Sequence, residues 1–128
     1  MIYNNFRLKR VTIITVNFNQ AALTEEFLNS VEIHNSYLPI EIIVVDNGSA
    51  IDPTPGWNLQ YPKIRFIRSE RNLGFAGGNN LAIKEASSDY LFLVNNDTEF
   101  TPGLIESLVA ILDSHPKVGA ISPKILYF

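Results

Sequence analysis

The chain reads as blocks of apolar residues that break off sharply into polar ones. VTIITV (11–16), EIIVV (41–45) and YLFLV (90–94) are short runs with little polar interruption. Runs of that length, bounded by polar residues, are the pattern of parallel strands covered on both faces. YLFLV is expected to be the most buried of them. IRFI (64–67) alternates instead, which predicts a short strand nearer the sheet edge. Helical spacing fills the intervals. Leu23, Phe27 and Val31 recur at i, i+4 and i+8 and predict a helix over about 20–35 with that stripe turned inward. A second helix is expected over about 79–86, with Leu81, Ala82 and Ala86 inward. A third starts at Thr101-Pro102, Thr as N-cap and Pro at the first helical position. It carries Leu104, Ile105, Leu108, Val109 and Leu112 until His115-Pro116 ends it. VGAI (118–121) predicts a fifth strand. Residues 1–10 read as a lead-in. Residues 50–62, with Pro53, Pro55, Gly56 and Pro62, read as an irregular surface loop that Trp57 and Tyr61 pin to the body. Strand and helix alternate, which predicts an α/β fold with an open, mostly parallel sheet.

Composition narrows the function classes. The 128 residues suffice for one domain with a real core. There is no cysteine, which excludes disulfides, Cys metal sites and thiol nucleophiles. A formal net charge of −3 provides no global field for nucleic acid. No apolar run approaches the ~20 residues that span a bilayer. The start, MIYNNFR, lacks the apolar stretch of a signal peptide. The cytoplasm is the expected compartment. The apolar end, ILYF (125–128), leads us to expect a chain truncated at its C-terminus, with exposed apolar surface that opens a route to a homo-oligomer.

Candidate chemistry collects at the polar strand ends, where ligands sit in open α/β sheets. Four groups are expected on one edge: Asn17 and Asn19; Asp46, Asn47 and Ser49; Asn72 to Asn80; Asn95, Asn96 and Asp97. Each has a plainer reading, since Asn, Asp, Gly and Ser make turns for their own reasons. Asp97 stands beside amides, with no His or Cys near in sequence. That suits a hard divalent ion such as Mg²⁺ or Mn²⁺, which takes oxygen ligands and shares them with phosphates. Alternatively it caps the turn before Thr101. Asp46 ends the second strand, where a carboxylate accepts hydrogen bonds from a ribose or a base. The first strand–helix turn has no glycine, and both the G-x-G-x-x-G fingerprint and the phosphate-binding G-x-x-x-x-G-K-[ST] loop are missing. Glycines 74, 77 and 78 let a backbone approach a ligand, and the helix behind them offers free N–H groups to an anion. The plainer reading is a loop-to-helix entry with Asn79 as N-cap. Arg68 and Arg71 are candidates for phosphate charge or simply solvated. His34 and His115 are expected to be structural or exposed.

VTIITVNFN (11–19), EIIVVDNGS (41–49), RNLGFAGGNN (71–80) and YLFLVNNDTEF (90–100) together resemble the inverting, nucleotide-sugar-dependent glycosyltransferases of family 2, with the GT-A (Rossmann-like) fold. Within that family the likeness is to rhamnosyltransferases that build bacterial surface polysaccharides. The resemblance implies helices on both sheet faces, and a nucleotide-sugar-binding part over 11–128. It implies that Thr15, Asn17 and Asn19 border the nucleoside, and that Asp46 contacts base or ribose in a turn shaped by Asn47 and Ser49. It implies that Asn72, Gly74 and the turn of Gly77, Gly78, Asn79 and Asn80 meet the nucleotide and donor sugar. Asn95-Asn96-Asp97 stands where the family has its D-x-D signature, with Asp97 as the metal ligand and Mn²⁺ or Mg²⁺ as cofactor. The first Asp of that signature is Asn here. The implied partners are a UDP- or dTDP-sugar and a saccharide or lipid-linked acceptor, the latter consistent with a peripheral place at the inner face of the plasma membrane. The general base is expected beyond residue 128. Two other readings stay open: another sugar-nucleotide enzyme or nucleotidyltransferase, which a G-x-G or lysine-rich phosphate loop would favour, and a non-catalytic α/β binding module.

Overall fold

The structure, a computed structural model, describes residues 7–127, so residues 1–6 of the expected lead-in and Phe128 lie outside it. The elements run β1 (Val11–Asn17), α1 (Ala21–His34), β2 (Ile40–Asp46), α2 (Thr54–Gln60), β3 (Arg65–Arg68), α3 (Gly74–Ile83), β4 (Tyr90–Leu93) and α4 (Leu104–Ser114). The four strands form one sheet in the order β3-β2-β1-β4, and every pair is parallel. β-Branched residues dominate β1 and β2, whose stiff side chains favour the pleated state. Successive strand residues face opposite ways. Val11, Ile13 and Val44 therefore meet Phe27 and Val31 of α1, Trp57 of α2 and Ile105 and Val109 of α4 on one face. Ile14, Ile43 and Val45 meet Ala82 of α3 on the other.

Several expectations change. β4 is an edge strand, not the most buried one: it pairs only with β1, and Leu91 and Leu93 are 44% and 49% exposed. α3 packs on β1 and β2. Residues 54–60 of the expected loop form α2, because Pro53 and Pro55 fall at the N-terminal positions that need no N–H donor. Trp57 is buried there, its indole N–H donating to Glu25 at 2.8 Å. α3 begins at Gly74 rather than Asn79, so most of the expected glycine-rich turn is helix, and it ends at Ile83 rather than Ala86. Close packing explains Gly78, where a Cβ would stand 2.9 Å from Val16 Cγ1, and a positive φ of 74° explains Gly74. α1 buries Thr24, Phe27, Leu28, Ser30 and Val31, whereas Leu23 is 38% exposed. Gly103, at φ 76°, caps α4 in place of Thr101. The stripe of α4 lies as expected. Residues 118–121 form no strand, because no strand edge pairs with them among the described residues.

Candidate active site

Strand register builds the site. Asn17 of β1 lies opposite Asp46 of β2, and Asp46 opposite Arg68 of β3. Their side chains meet in a buried row. Asn17 Nδ2 donates to Asp46 Oδ1 at 2.7 Å and to Ser49 Oγ at 3.1 Å. The Ser49 hydroxyl and backbone N–H both donate to Asp46, at 2.5 and 3.3 Å. Arg68 pairs with the other Asp46 oxygen and donates to the Ser49 carbonyl at 2.9 Å. Asp46 is 0% exposed, so its charge is held wholly by these donors. Asp52 sits 3.4 Å from Arg68, and hydrogen bonds from the Thr54 hydroxyl and N–H, with Arg68 adding to them, hold its carboxyl below the usual range.

A second tier stands above this row. Asn47 Nδ2 donates to Asn72 Oδ1 and to the Gly74 carbonyl at 3.1 and 3.0 Å, and its Oδ1 accepts the Leu73 N–H at 3.0 Å. The two turns touch at Gly48, where φ is +81° and a Cβ would lie 2.5 Å from the Arg71 carbonyl carbon. Only glycine fits that approach. Above them opens a cleft of about 340 Å³. Val16, Phe18 and Phe75 form its apolar wall, and Gln20, Asn47, Asn72, Gly74, Asn95, Asn96 and Asp97 complete it.

The expected site residues divide accordingly. Asn47, Asn72, Gly74, Asn95, Asn96 and Asp97 line the cleft. Asn17, Asp46 and Ser49 lie buried beneath it, bonded to one another. Asn19, at φ 56°, braces the turn through its N–H to Ser49 Oγ and its Oδ1 from the Ala50 N–H, both at 2.8 Å. Thr15 is buried, and its hydroxyl finds no partner among the described residues. Gly77, Gly78 and Asn79 are helix-packing residues of α3, Asn79 donating to the Phe75 carbonyl at 2.9 Å. Arg71 and Asn80 are exposed outside the cleft lining. His34, expected to be structural or exposed, lies 4.0 Å from Glu99, and His115 is exposed.

Sequence reasoning passed over Gln20, Phe75 and Thr24. Thr24 had a signal: it is a polar residue one turn ahead of Leu28 on the inward side of α1. The Asp97 carboxylate is exposed and takes part in no hydrogen bond or ion pair among the described residues. No group of three His, Cys, Asp or Glu side chains is placed to cage an ion among the described residues. The oxygen donors Asn95 and Asp97 therefore fit a hard divalent ion that takes its remaining ligands from a diphosphate, and not one held by protein alone.

Comparison with known proteins agrees with this architecture. The sequence profile of "Glycosyl transferase family 2" matches residues 12–127. The uncharacterized glycosyltransferase YwdF of Bacillus subtilis (strain 168) is 32% identical over 106 residues, covering 82% of this chain and 39% of YwdF. The N-acetylglucosaminyl-diphospho-decaprenol L-rhamnosyltransferase of Mycobacterium tuberculosis (strain ATCC 25618 / H37Rv) is 27% identical over 125 residues, covering 88% of this chain and 40% of that enzyme. The chain thus spans about two fifths of the length of these relatives. Among solved structures, the mannosyltransferase PcManGT from Pyrobaculum calidifontis, in complex with GDP-Man and Mn²⁺, superposes with a TM-score of 0.71 at 25% identity, over 84% of this chain and 33% of its own. S. aureus TarS shares the fold at a TM-score of 0.72 and 22% identity, over 90% of this chain and 38% of its own. The open parallel sheet with helices on both faces is the GT-A fold of these glycosyltransferases. With residues 12–127 of its 128 matched, the chain belongs to glycosyl transferase family 2.

Proposed function

We propose that the chain forms the donor half of an inverting glycosyltransferase, which moves a sugar from a UDP- or dTDP-sugar to a saccharide or lipid-linked acceptor of a bacterial surface polysaccharide. One observation carries this reading: the Asp97 carboxylate lines the cleft at the carboxyl edge of the sheet, exposed and unengaged among the described residues. The named rhamnosyltransferase relative and the GDP-Man and Mn²⁺ complex of PcManGT support it. Phe18 and Phe75 provide apolar surface for a planar base, while the exposed Asn72, its oxygen held by Asn47 and the Gly74 N–H, presents its amide NH₂ beside it. Asp97, with Asn95, would hold Mn²⁺ or Mg²⁺ against the diphosphate. The ion would supply positive charge to the departing nucleoside diphosphate. In the transfer itself, an acceptor oxygen bonds to the anomeric carbon from the face opposite the leaving group as the bond to the diphosphate oxygen breaks. The acceptor proton goes to a general base, and Asp97 is the cleft's one carboxylate among the described residues. That base is assigned outside this chain.

Saturation-transfer NMR of the chain with UDP-GlcNAc and dTDP-rhamnose, each with Mg²⁺, tests the reading. Signal transfer to the nucleoside and sugar of one donor is expected. No transfer to either donor overturns it. A parallel incubation with a saccharide acceptor should yield no product from this chain alone, and turnover at ordinary enzymatic rates would refute the donor-half assignment.

A further inference from the structure

The buried row does not stop at Asn17. Asn96, in the middle of the Asn95–Asp97 turn, is only 7% exposed, and its Nδ2 donates to Thr24 Oγ1 of α1 at 3.0 Å. The Thr24 hydroxyl, 0% exposed, donates onward to Asn17 Oδ1 at 3.0 Å. Asn17 donates to Asp46, and Arg68 closes the row from the other side. The chain Asn96–Thr24–Asn17–Asp46–Arg68 therefore ties the carboxyl ends of all four strands together beneath the cleft. Its hydrogen bonds have one direction. Asn96 Nδ2 donates toward Thr24 and Asn17 Nδ2 toward Asp46, while the single Thr24 hydroxyl hydrogen has two acceptors in reach, Asn17 Oδ1 at 3.0 Å and the Gln20 carbonyl at 3.2 Å; with the nearer Asn17 accepting, each bond strengthens the next. That direction also fixes the Asn17 amide, since turning it over would set its oxygen against Asp46 and its NH₂ against the Gln20 N–H, which Oδ1 now accepts at 3.2 Å.

Thr24 is the one member of the row contributed by a helix, and within the row it links the Asn96 turn that follows β4 to Asn17 of β1. Asn95 and Asp97, on either side of Asn96, are exposed and line the cleft. Anchoring Asn96 downward therefore sets where its two neighbours point. We propose that Thr24 is a positioning residue for the metal-binding turn: by holding Asn96 it aims Asp97 and Asn95 into the cleft, although it touches neither ligand nor ion. This rests on the nucleotide-sugar and metal reading given above.

The test compares wild type with Thr24→Val, which keeps the shape and loses the hydroxyl, and Thr24→Ser, which restores it. UDP and dTDP binding is titrated against Mn²⁺ concentration, and exchange of the Asn96 side-chain amide protons is followed by NMR without metal. In Thr24→Val the Mn²⁺ midpoint should rise about tenfold or more, the range reached by partners that orient metal ligands. Metal-free nucleotide affinity should stay within about twofold, and Asn96 amide protection should disappear. Thr24→Ser should recover both. A Val31→Ala variant, on the same helix but outside the row, should lower the melting temperature without moving the Mn²⁺ midpoint. Should Thr24→Val fail to fold, Thr24→Ala takes the same expectations. An unchanged Mn²⁺ midpoint in the valine or alanine variant, beside a metal-responsive wild type, overturns the inference and leaves the functional reading standing. Absence of any nucleotide or metal response in the wild type instead removes the functional reading on which the inference rests.

Discussion

Asp46 accepts hydrogen bonds from Asn17, from Arg68 and twice from Ser49 while fully buried. Removing the one cationic donor strands a charge that cannot reach water. Arg68→Met should therefore cost about 3 kcal/mol in urea unfolding, the scale of breaking a buried pair from one side. A loss under about 1 kcal/mol would mean that Arg68 is not what holds the Asp46 carboxylate in the fold. Thr15 behaves oppositely. Its hydroxyl is buried with no partner among the described residues. Thr15→Val should raise stability by about 1 kcal/mol, because an unsatisfied hydroxyl is replaced by a methyl of the same shape. A fall in melting temperature would show that this hydroxyl has a partner in solution. Thr24, nine residues on and equally buried, differs in that its hydroxyl is engaged by Asn17 and Asn96.

Between elements, α4 is tied to β4 by the Tyr90 hydroxyl, which donates to Asp113 at 2.6 Å. That hydrogen bond, with burial adding to it, pushes the Tyr90 pKa up to about 12. A raised folded-state value means the tie stabilises fully below the unfolded tyrosine pKa near ~10 and is lost as pH rises through the folded value. Thermal melts across that alkaline window should show a loss in wild type that Tyr90→Phe lacks; identical profiles would break the assignment. The elements also show what the sequence made legible. β1, β2 and the stripe of α4 were readable because β-branched runs and 3.6-residue spacing are local signals. α2 was hidden by prolines that its N-terminus tolerates. The start of α3 was hidden by its glycines, of which Gly74 takes a positive φ at the helix start and Gly78 packs closely on Val16. The rank of β4 was misread because an apolar run records composition, not which strand lies at the edge. At the cleft, Asn47, Asn72, Asn95 and Asp97 were legible as strand-end polar residues. Thr24 and Arg68 were not recognised in their roles, since their partners lie 72 and 22 residues away in sequence.

At the scale of the whole molecule, a four-stranded parallel sheet supports two tiers: a buried charge-centred row and, above it, an open cleft of about 340 Å³ with one exposed carboxylate among the described residues. No helix among the described residues is long and apolar enough to cross a membrane. The chain spans about two fifths of the length of the relatives it matches. The central claim is that the cleft takes a nucleoside diphosphate through a metal held at Asp97. Calorimetric titration of the chain with UDP and with dTDP, each with and without Mn²⁺, tests it most directly when repeated on Asp97→Ala. Metal-dependent binding of one nucleotide, abolished in Asp97→Ala, is the expected result and identifies the donor class. Binding that is indifferent to both Mn²⁺ and the Asp97 substitution, or no binding under any condition, would contradict it.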